Sequence, residues 1–319
     1  MTDMSNAKAN LSRRFLRFAL GGQRFGLAAS AVRELRGMDG IVPEAGDDGR
    51  TGWLAVGNGL VPLHDLAGRF GGSAGEKILL VDTGQGLVAA VVGHVDGIIE
   101  VETDQFHLLP AAVRCPGTAR FAGVLSFEQT PVLCFNAMRI GDAPTPAVSR
   151  TETLTPLAAH RPAAGEAVAR AMVEFSTDEV GRSHRFALSR SQVLELTEPL
   201  PVTPLPGAPE YVAGLTLWRD RPVAVVALDC WLGVASHGAS SETARTARRF
   251  LVARAARNDE PIAFPVGGDV KLKTPPFEYR DGGTVRMTVP AARVLGWFEH
   301  AERTLVVPNL DTLFVPMAL

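Results

Sequence analysis

Val32-Arg33-Glu34-Leu35, with Pro43 and Gly52 behind it, returns in the second half of the chain as Val193-Leu194-Glu195-Leu196, with Pro204 and Gly214 behind it. Glutamate and proline stand nine residues apart in both stretches. Further along, Leu63-His64-Asp65 pairs with Ala227-Leu228-Asp229, and Pro110-Ala111-Ala112 with Pro290-Ala291-Ala292. Gly123 to Asn136 and Gly296 to Asn309 share a spacing of thirteen residues. The offset between partners drifts toward the C-terminus, as happens when two copies of one domain exchange loop lengths over a common frame. The chain is therefore read as a duplication.

Each copy reads as β-structure. Phe15 to Leu20 alternates apolar and polar, Gly21-Gly22 turns, and Arg24-Phe25-Gly26-Leu27 returns, which is a hairpin signature. Gly57-Asn58-Gly59 marks a second hairpin within Val56 to Leu66. Lys77 to Asp82, the turn Thr83-Gly84-Gln85-Gly86 and Leu87 to Val92 make a third, which Val95 to Val101 is expected to extend. Gly123 to Phe127 and Val132 to Phe135 make a fourth, closing on a short helix over Asn136 to Ile140. Ala28 to Arg36 is expected to start as a short helix near Ser30 and run into a strand. About ten short strands per copy predict an all-β fold with short helices, built from one or two small barrels. The second copy opens at Ala171 to Ser176 and repeats Arg24 to Leu27 as Arg185 to Leu188. Its later strands are expected at Val223 to Leu228, Phe250 to Ala253 and Thr304 to Val307. Residues 1–14 are expected to be a disordered tail. Residues 141–170, with Pro144, Pro146, Pro156 and Pro162 among many Ala, Thr and Ser, read as a linker. The domains are then 15–140 and 171–319.

With 319 residues, 46% of them hydrophobic, the chain has the apolar content for two domain cores. A net charge of −2 supplies no general basic field for nucleic acid or anionic lipid. No apolar run approaches the ~18 residues of a membrane-spanning helix, and Met1 to Arg14 lacks the apolar core of a signal peptide. Cys115, Cys134 and Cys230 are scattered, as expected of reduced thiols in a cytoplasmic protein, and lack the close spacing of zinc ligands.

Taken in order, these elements resemble the CheW-like domain, the coupling module of bacterial chemotaxis. In the first copy the resemblance rests on Val32-Arg33-Glu34-Leu35-Arg36-Gly37, Val61-Pro62-Leu63-His64-Asp65-Leu66 and Arg69-Phe70-Gly71. In the second it rests on Val202-Thr203-Pro204-Leu205-Pro206 and on Pro209 through Asp220. It implies that each copy is a pair of five-stranded SH3-like barrels around a shared core. It also implies a scaffold with no chemistry of its own, joining chemoreceptor cytoplasmic tips to the regulatory domain of a chemotaxis histidine kinase. The arginine of the family's Leu-Arg-Gly turn, part of the partner-contact region, is Arg219 in the second copy, but Gly57 stands there in the first. The family's Val-Asp-x-Val is Val92-Gly93-His94-Val95 here and loses the aspartate, as does Val266-Gly267-Gly268. Asn136 and Asn309 replace the aspartate near the C-terminal strand. The segment from Pro290 to Gly296 is about seven residues shorter than its counterpart from Pro110 to Gly123.

Expected partner-binding residues are Val32, Glu34 and Arg36 in the first copy and Val193, Glu195 and Arg219 in the second. A glutamate on a strand edge also serves simply to discourage aggregation, whereas an arginine beside Trp218 has the make-up of an interface anchor. Asp65 and Asp229 are expected to cap the helical turns that follow them. Trp231 and Trp297 are expected to pack in cores. Gly84-Gln85-Gly86 lacks the third glycine and the helix of a dinucleotide site. His64, His94 and His107 come from separate segments without metal-ligand spacing, and nothing in the sequence pairs a serine or cysteine with a base as an activated nucleophile. No catalytic residue, cofactor or metal is assigned. Two functions remain open. One is a cytoplasmic tandem adaptor coupling chemoreceptors to a histidine kinase, without membrane insertion or nucleic-acid binding. The other is a pseudo-symmetric tandem whose partner binding has diverged.

Overall fold

The structure is a computed structural model that describes residues 13–44, 46, 49–71, 75–142, 171–177, 185–233, 247–273, 279–281, 290–300 and 303–314. All of the expected tail except Arg13 and Arg14, and all of the expected linker except Gly141 and Asp142, lie outside the described residues. The chain divides into two compact units, one of Met1–Leu109, Gly117–Pro146 and Arg219–Arg221, the other of Pro110–Pro116, Ala147–Trp218 and Pro222–Leu319.

In the first copy β1 (Arg13–Leu20) and β2 (Gln23–Ala28) form the expected hairpin. Both turn glycines, Gly21 and Gly22, have positive φ, the requirement of a tight turn matched to strand twist. A 3-10 turn at Ala29–Ala31 leads into β3 (Val32–Arg36). β4 (Ile41–Pro43), β5 (Gly52–Val56) and β6 (Gly59–Asp65) follow, then a single helical turn, α1 (Leu66–Arg69). β7 (Lys77–Asp82) and β8 (Leu87–Val92) pair across the Gly84-Gln85-Gly86 turn. β9 (Val95–Val101), β10 (Phe106–His107), β11 (Phe121–Phe127) and β12 (Thr130–Phe135) complete the copy.

These strands make two sheets, ordered β10-β11-β12-β2-β1-β9 and β3-β7-β8-β6-β5-β4. The resemblance led to an expectation of five strands per barrel; each sheet holds six, with the two-residue β10 and the three-residue β4 at the edges. β9 also departs from expectation. It does not extend the β7–β8 hairpin but crosses to pair antiparallel with β1, Phe15 opposite Ile99. That pairing draws Arg13 and Arg14 into β1, opposite Val101 and Glu100, so the expected tail is two residues too long.

Each sheet curls around its own apolar core. Leu54, Val61, Leu63, Ile78, Leu80, Ala89 and Val91 fill the β3–β8 barrel. Phe15, Val101, Leu125, Val132 and Cys134 fill the other. Between them lies a ring cluster. Phe25 sits 5.3 Å from both Phe70 and Phe135, and Phe121 sits 5.1 Å from Phe135. Phe70 ends α1, which follows β6, while the other rings belong to the sheet of β2, β11 and β12, so the cluster is the shared core that joins the barrels.

The second copy rebuilds this plan with β13 (Met172–Ser176), β14 (Arg185–Ser189), β15 (Val193–Thr197), β16 (Val212–Trp218), β17 (Arg221–Val226) and α2 (Leu228–Trp231). β18 (Arg249–Arg254), β19 (Pro261–Val266), β20 (Lys271–Lys273), β21 (Tyr279–Asp281), β22 (Val294–His300) and β23 (Arg303–Pro308) follow. The sheets are β20-β13-β14-β23-β22-β21 and β15-β18-β19-β17-β16.

Register demonstrates the duplication more sharply than sequence does. β2 pairs parallel with β12, Phe25 opposite Leu133, and β14 pairs parallel with β23, Phe186 opposite Val306. β11 bulges between Phe121 and Gly123, and β22 bulges between Val294 and Gly296. The Asn136 amide donates to the Arg120 carbonyl and the Asn309 amide to the Arg293 carbonyl, each at 2.8 Å. Gly52 and Gly214 recur because a strand passes close: a Cβ would stand 2.6 Å from the Val42 carbonyl oxygen in one copy and 2.3 Å from that of Thr203 in the other.

Candidate partner-binding strands

β3 and β15 are equivalent edge strands, one of the β3-β7-β8-β6-β5-β4 sheet and the other of the β15-β18-β19-β17-β16 sheet. Each pairs antiparallel with one neighbour, β7 or β18, and each bulges at its second residue, between Val32 and Glu34 or between Val193 and Glu195. A bulge re-aims the side chains that follow it and twists an edge away from pairing with another sheet. Here it presents Glu34 and Leu35, and Glu195 and Leu196, at matching positions. Leu35 is 46% exposed and Leu196 39%. An exposed leucine beside a carboxylate on a bulged edge can offer a partner an apolar contact together with a hydrogen-bond acceptor.

The glutamates are held differently. Glu34 is exposed, and Arg36 donates Nε–H to its Oε1 at 2.9 Å while donating through Nη1 to the Ala55 carbonyl at 3.1 Å. Arg36 thus links edge strand β3 to β5 and helps to close the barrel. Glu195 is half-buried and accepts from Trp218 Nε1 at 3.0 Å. β15 and β16 are the two edges of their sheet, so this bond closes the second barrel. The bulge residue Arg33 is anchored through Nε to Asp82 at 3.1 Å, and the Gly84 amide and Arg33 hold the Asp82 carboxyl below its ordinary pKa. Val32 and Val193 are half-buried at the starts of the strands.

Arg219 and Asp220 form the two-residue turn between β16 and β17, with φ of 52° and 61°. Both are exposed. Left-handed backbone suits glycine or asparagine and costs other residues roughly 1–2 kcal/mol. In the first copy Gly57, φ 57°, takes the Arg219 position at no such cost. Glu128 and Gln129 take the same left-handed conformation in the turn between β11 and β12, with φ of 49° and 61°. The structure therefore spreads the six expected residues over two strands and one turn: Val32, Glu34 and Arg36 share β3, Val193 and Glu195 share β15, and Trp218 joins Glu195 to the strand that carries Arg219.

Sequence reasoning missed the closing bonds of Arg36 and Trp218, which run between strands far apart in the chain. It also misplaced one cap. Asp65 does cap α1, accepting from the Gly68 amide at 2.9 Å. Asp229 lies inside α2, whose cap is Ala227, and it accepts from the Thr177 hydroxyl. The true counterpart of Asp65 is Ala227, two residues from the pairing read off the sequence. Trp231 and Trp297 are buried, as expected.

Bulged edge strands and barrel-closing side chains thus recur in both copies. The CheW-like domain model matches residues 14–143 and 177–269, and the chain belongs to that family, a family of chemotaxis scaffolds. Among solved structures, the scaffolding protein CheW from Thermoanaerobacter tengcongensis is similar, with 20% identity over 46% of this chain and 92% of its own, at a TM-score of 0.36. No curated protein matches. No helix among the described residues is long and apolar enough to cross a membrane.

Proposed function

We propose that the protein is a cytoplasmic, non-enzymatic adaptor in chemotaxis-type signalling, coupling chemoreceptor tips to a histidine kinase through domains at 15–140 and 171–319. The observation that carries this reading is the repeated bulged edge strand, with Glu34 and Leu35 in one copy matched by Glu195 and Leu196 in the other. Two such strands on one chain favour two weak contacts made together. Tethering raises the effective concentration of the second site to roughly millimolar, so neither interface needs to be large. In this reading the second copy, which keeps Arg219, makes the kinase-type contact, and the first copy, which keeps Val32, Glu34 and Arg36, serves a receptor or a kinase homologue.

The test is binding of the intact chain to the regulatory domain of a chemotaxis histidine kinase. Arg219→Ala is expected to weaken it about ten-fold or more, as loss of an interface anchor does, and Glu34→Ala to leave it within about two-fold. Unchanged binding by Arg219→Ala together with loss by Glu34→Ala would reverse the assignment.

A further inference from the structure

One guanidinium in the first copy ties three segments together around a buried imidazole. Arg69, at the end of α1, places Nη2 3.1 Å from Nδ1 of His64, near the end of β6. Its Nη1 donates to the Asp142 carbonyl at 3.1 Å, and Nη2 also donates to the Gly49 carbonyl. His64 is 5% exposed. Gly141 lies against the ring edge, since a Cβ there would stand 3.0 Å from Nε2. A guanidinium has hydrogens to donate and no lone pair to accept with. The contact therefore requires the lone pair on Nδ1 and the ring proton on Nε2.

The fold itself does not demand this pair. Counting through the equivalent hairpins, Val226 and Trp231 occupy the positions of His64 and Arg69 in the second copy, and both are buried. The first copy has placed a titratable contact where an apolar one suffices.

We propose that His64 and Arg69 form a proton-released latch on the chain where it leaves the first domain. A proton taken from solvent onto Nδ1 turns the acceptor into a donor and sets two cations against each other in a closed site. Arginine stays charged at any working pH, so Arg69 has to withdraw. Its hold on the Gly49 and Asp142 carbonyls is lost with it. Among the described residues, the neighbouring charges have contacts of their own. Asp65 accepts from the Gly68 amide, Arg50 stacks on Trp53 at 4.1 Å, and the Asp142 carboxylate lies 4.0 Å from Arg139. Burial lowers the pKa of Arg120, and Asp142 opposes that shift. Ala90, the partner of His64 on β8, carries no charge. The inference goes beyond the adaptor reading, since a latch of this kind would operate whatever the partner.

The test is amide hydrogen exchange on the intact chain, expressed as protection factors, from about pH 7.5 to about pH 5, a range that spans the ordinary imidazole pKa of about 6.5. The reporters are the Asp142 amide, bonded to the Arg139 carbonyl, and the Gly49 amide, bonded to the Gly46 carbonyl. Both are expected to lose about ten-fold in protection on acidification, the scale of one local hydrogen-bonded contact. His64→Gln, whose side-chain oxygen accepts from Arg69 and does not titrate, is expected to abolish the pH response. Equal responses in wild type and His64→Gln overturn the proposal. Should that variant not fold, the imidazole nitrogen spectrum of the unaltered protein decides. A proton on Nε2 at neutral pH supports the latch, and a proton on Nδ1 overturns it.

Discussion

The two copies share one register and differ in what fills the space between their barrels. In the first, Phe25, Phe70, Phe121 and Phe135 interlock, with ring centroids 5.1 to 6.2 Å apart. In the second, Phe186 keeps its place beside Phe175, while Leu232, Val294 and Pro308 stand at the positions of Phe70, Phe121 and Phe135. Trp231, at the position of Arg69, is fully buried, with the Arg293 guanidinium 5.7 Å from its ring and donating to its carbonyl. A duplicated frame tolerates such exchange because backbone pairing fixes the strands and the core needs only about the right volume. The barrel surfaces diverge in charge as well. Arg17 and Arg24 flank Asp96 at 2.9 and 2.8 Å in the first copy. In the second, Glu174 takes the place of Arg17 and collects Arg185, the counterpart of Arg24, and Lys273 at 2.8 Å.

The most severe way to break the comparison is Phe135→Ala. It empties the centre of the ring cluster and is expected to cost about 3–5 kcal/mol in the first domain alone. Denaturant unfolding of the full chain should separate into two transitions, with only one shifted. A single shifted transition would mean that the domains unfold together.

Charge inversion makes a prediction in pH. Burial raises the Glu174 carboxyl, but the bonds from Lys273 and Arg185 outweigh it, and the net effect holds its pKa below the ordinary value. A carboxyl lowered in the folded state contributes stability that is complete above the unfolded carboxylate pKa of about 4.3 and is lost as pH falls through the folded value. Glu174→Gln should therefore be less stable than wild type at neutral pH, with the gap closing in acid. A gap independent of pH would assign the effect to packing.

Removing the equivalent glutamates sharpens the comparison on a smaller scale. Glu195→Ala leaves the half-buried Trp218 N–H without its carboxylate and is expected to cost about 1–2 kcal/mol by thermal unfolding. Glu34→Ala, on an exposed side chain, is expected to cost no more than about 0.5 kcal/mol. Equal costs would mean that the two edges are closed in the same way.

Arg219→Gly is expected to act in the opposite direction. It gives the second copy the turn residue of the first and is expected to raise stability by about 0.5–1 kcal/mol through relief of positive φ. A loss of stability would show that the side chain, not a partner, is the reason the strained turn persists.

Much of the frame was legible in the sequence because local rules write it. The Gly21-Gly22 and Gly84-Gln85-Gly86 turns place their hairpins, and Gly52 and Gly214 mark close strand passages. What was not legible depends on contacts between distant segments. The crossing of β9 to β1 is set by which edge stands open, not by the composition of Val95 to Val101. The exchange of Asp65 for Ala227 was hidden by a Leu-Asp pair two residues out of register. The candidate site was half legible: the strands carrying Glu34 and Glu195 were found from the repeat. Their different roles depend on Arg36 reaching Ala55 and Trp218 reaching Glu195, bonds that no spacing rule encodes.

The central claim is that one chain carries two working CheW-like contact strands. Its most direct test is titration of the intact protein with the regulatory domain of a chemotaxis histidine kinase and, separately, with a receptor tip fragment, using wild type, Arg219→Gly and Glu34→Ala. Saturable binding to both is expected, with the kinase contact weakened by Arg219→Gly despite its gain in stability and the receptor contact weakened by Glu34→Ala. Absence of binding to either by the folded chain, or indifference of both contacts to both substitutions, would contradict it.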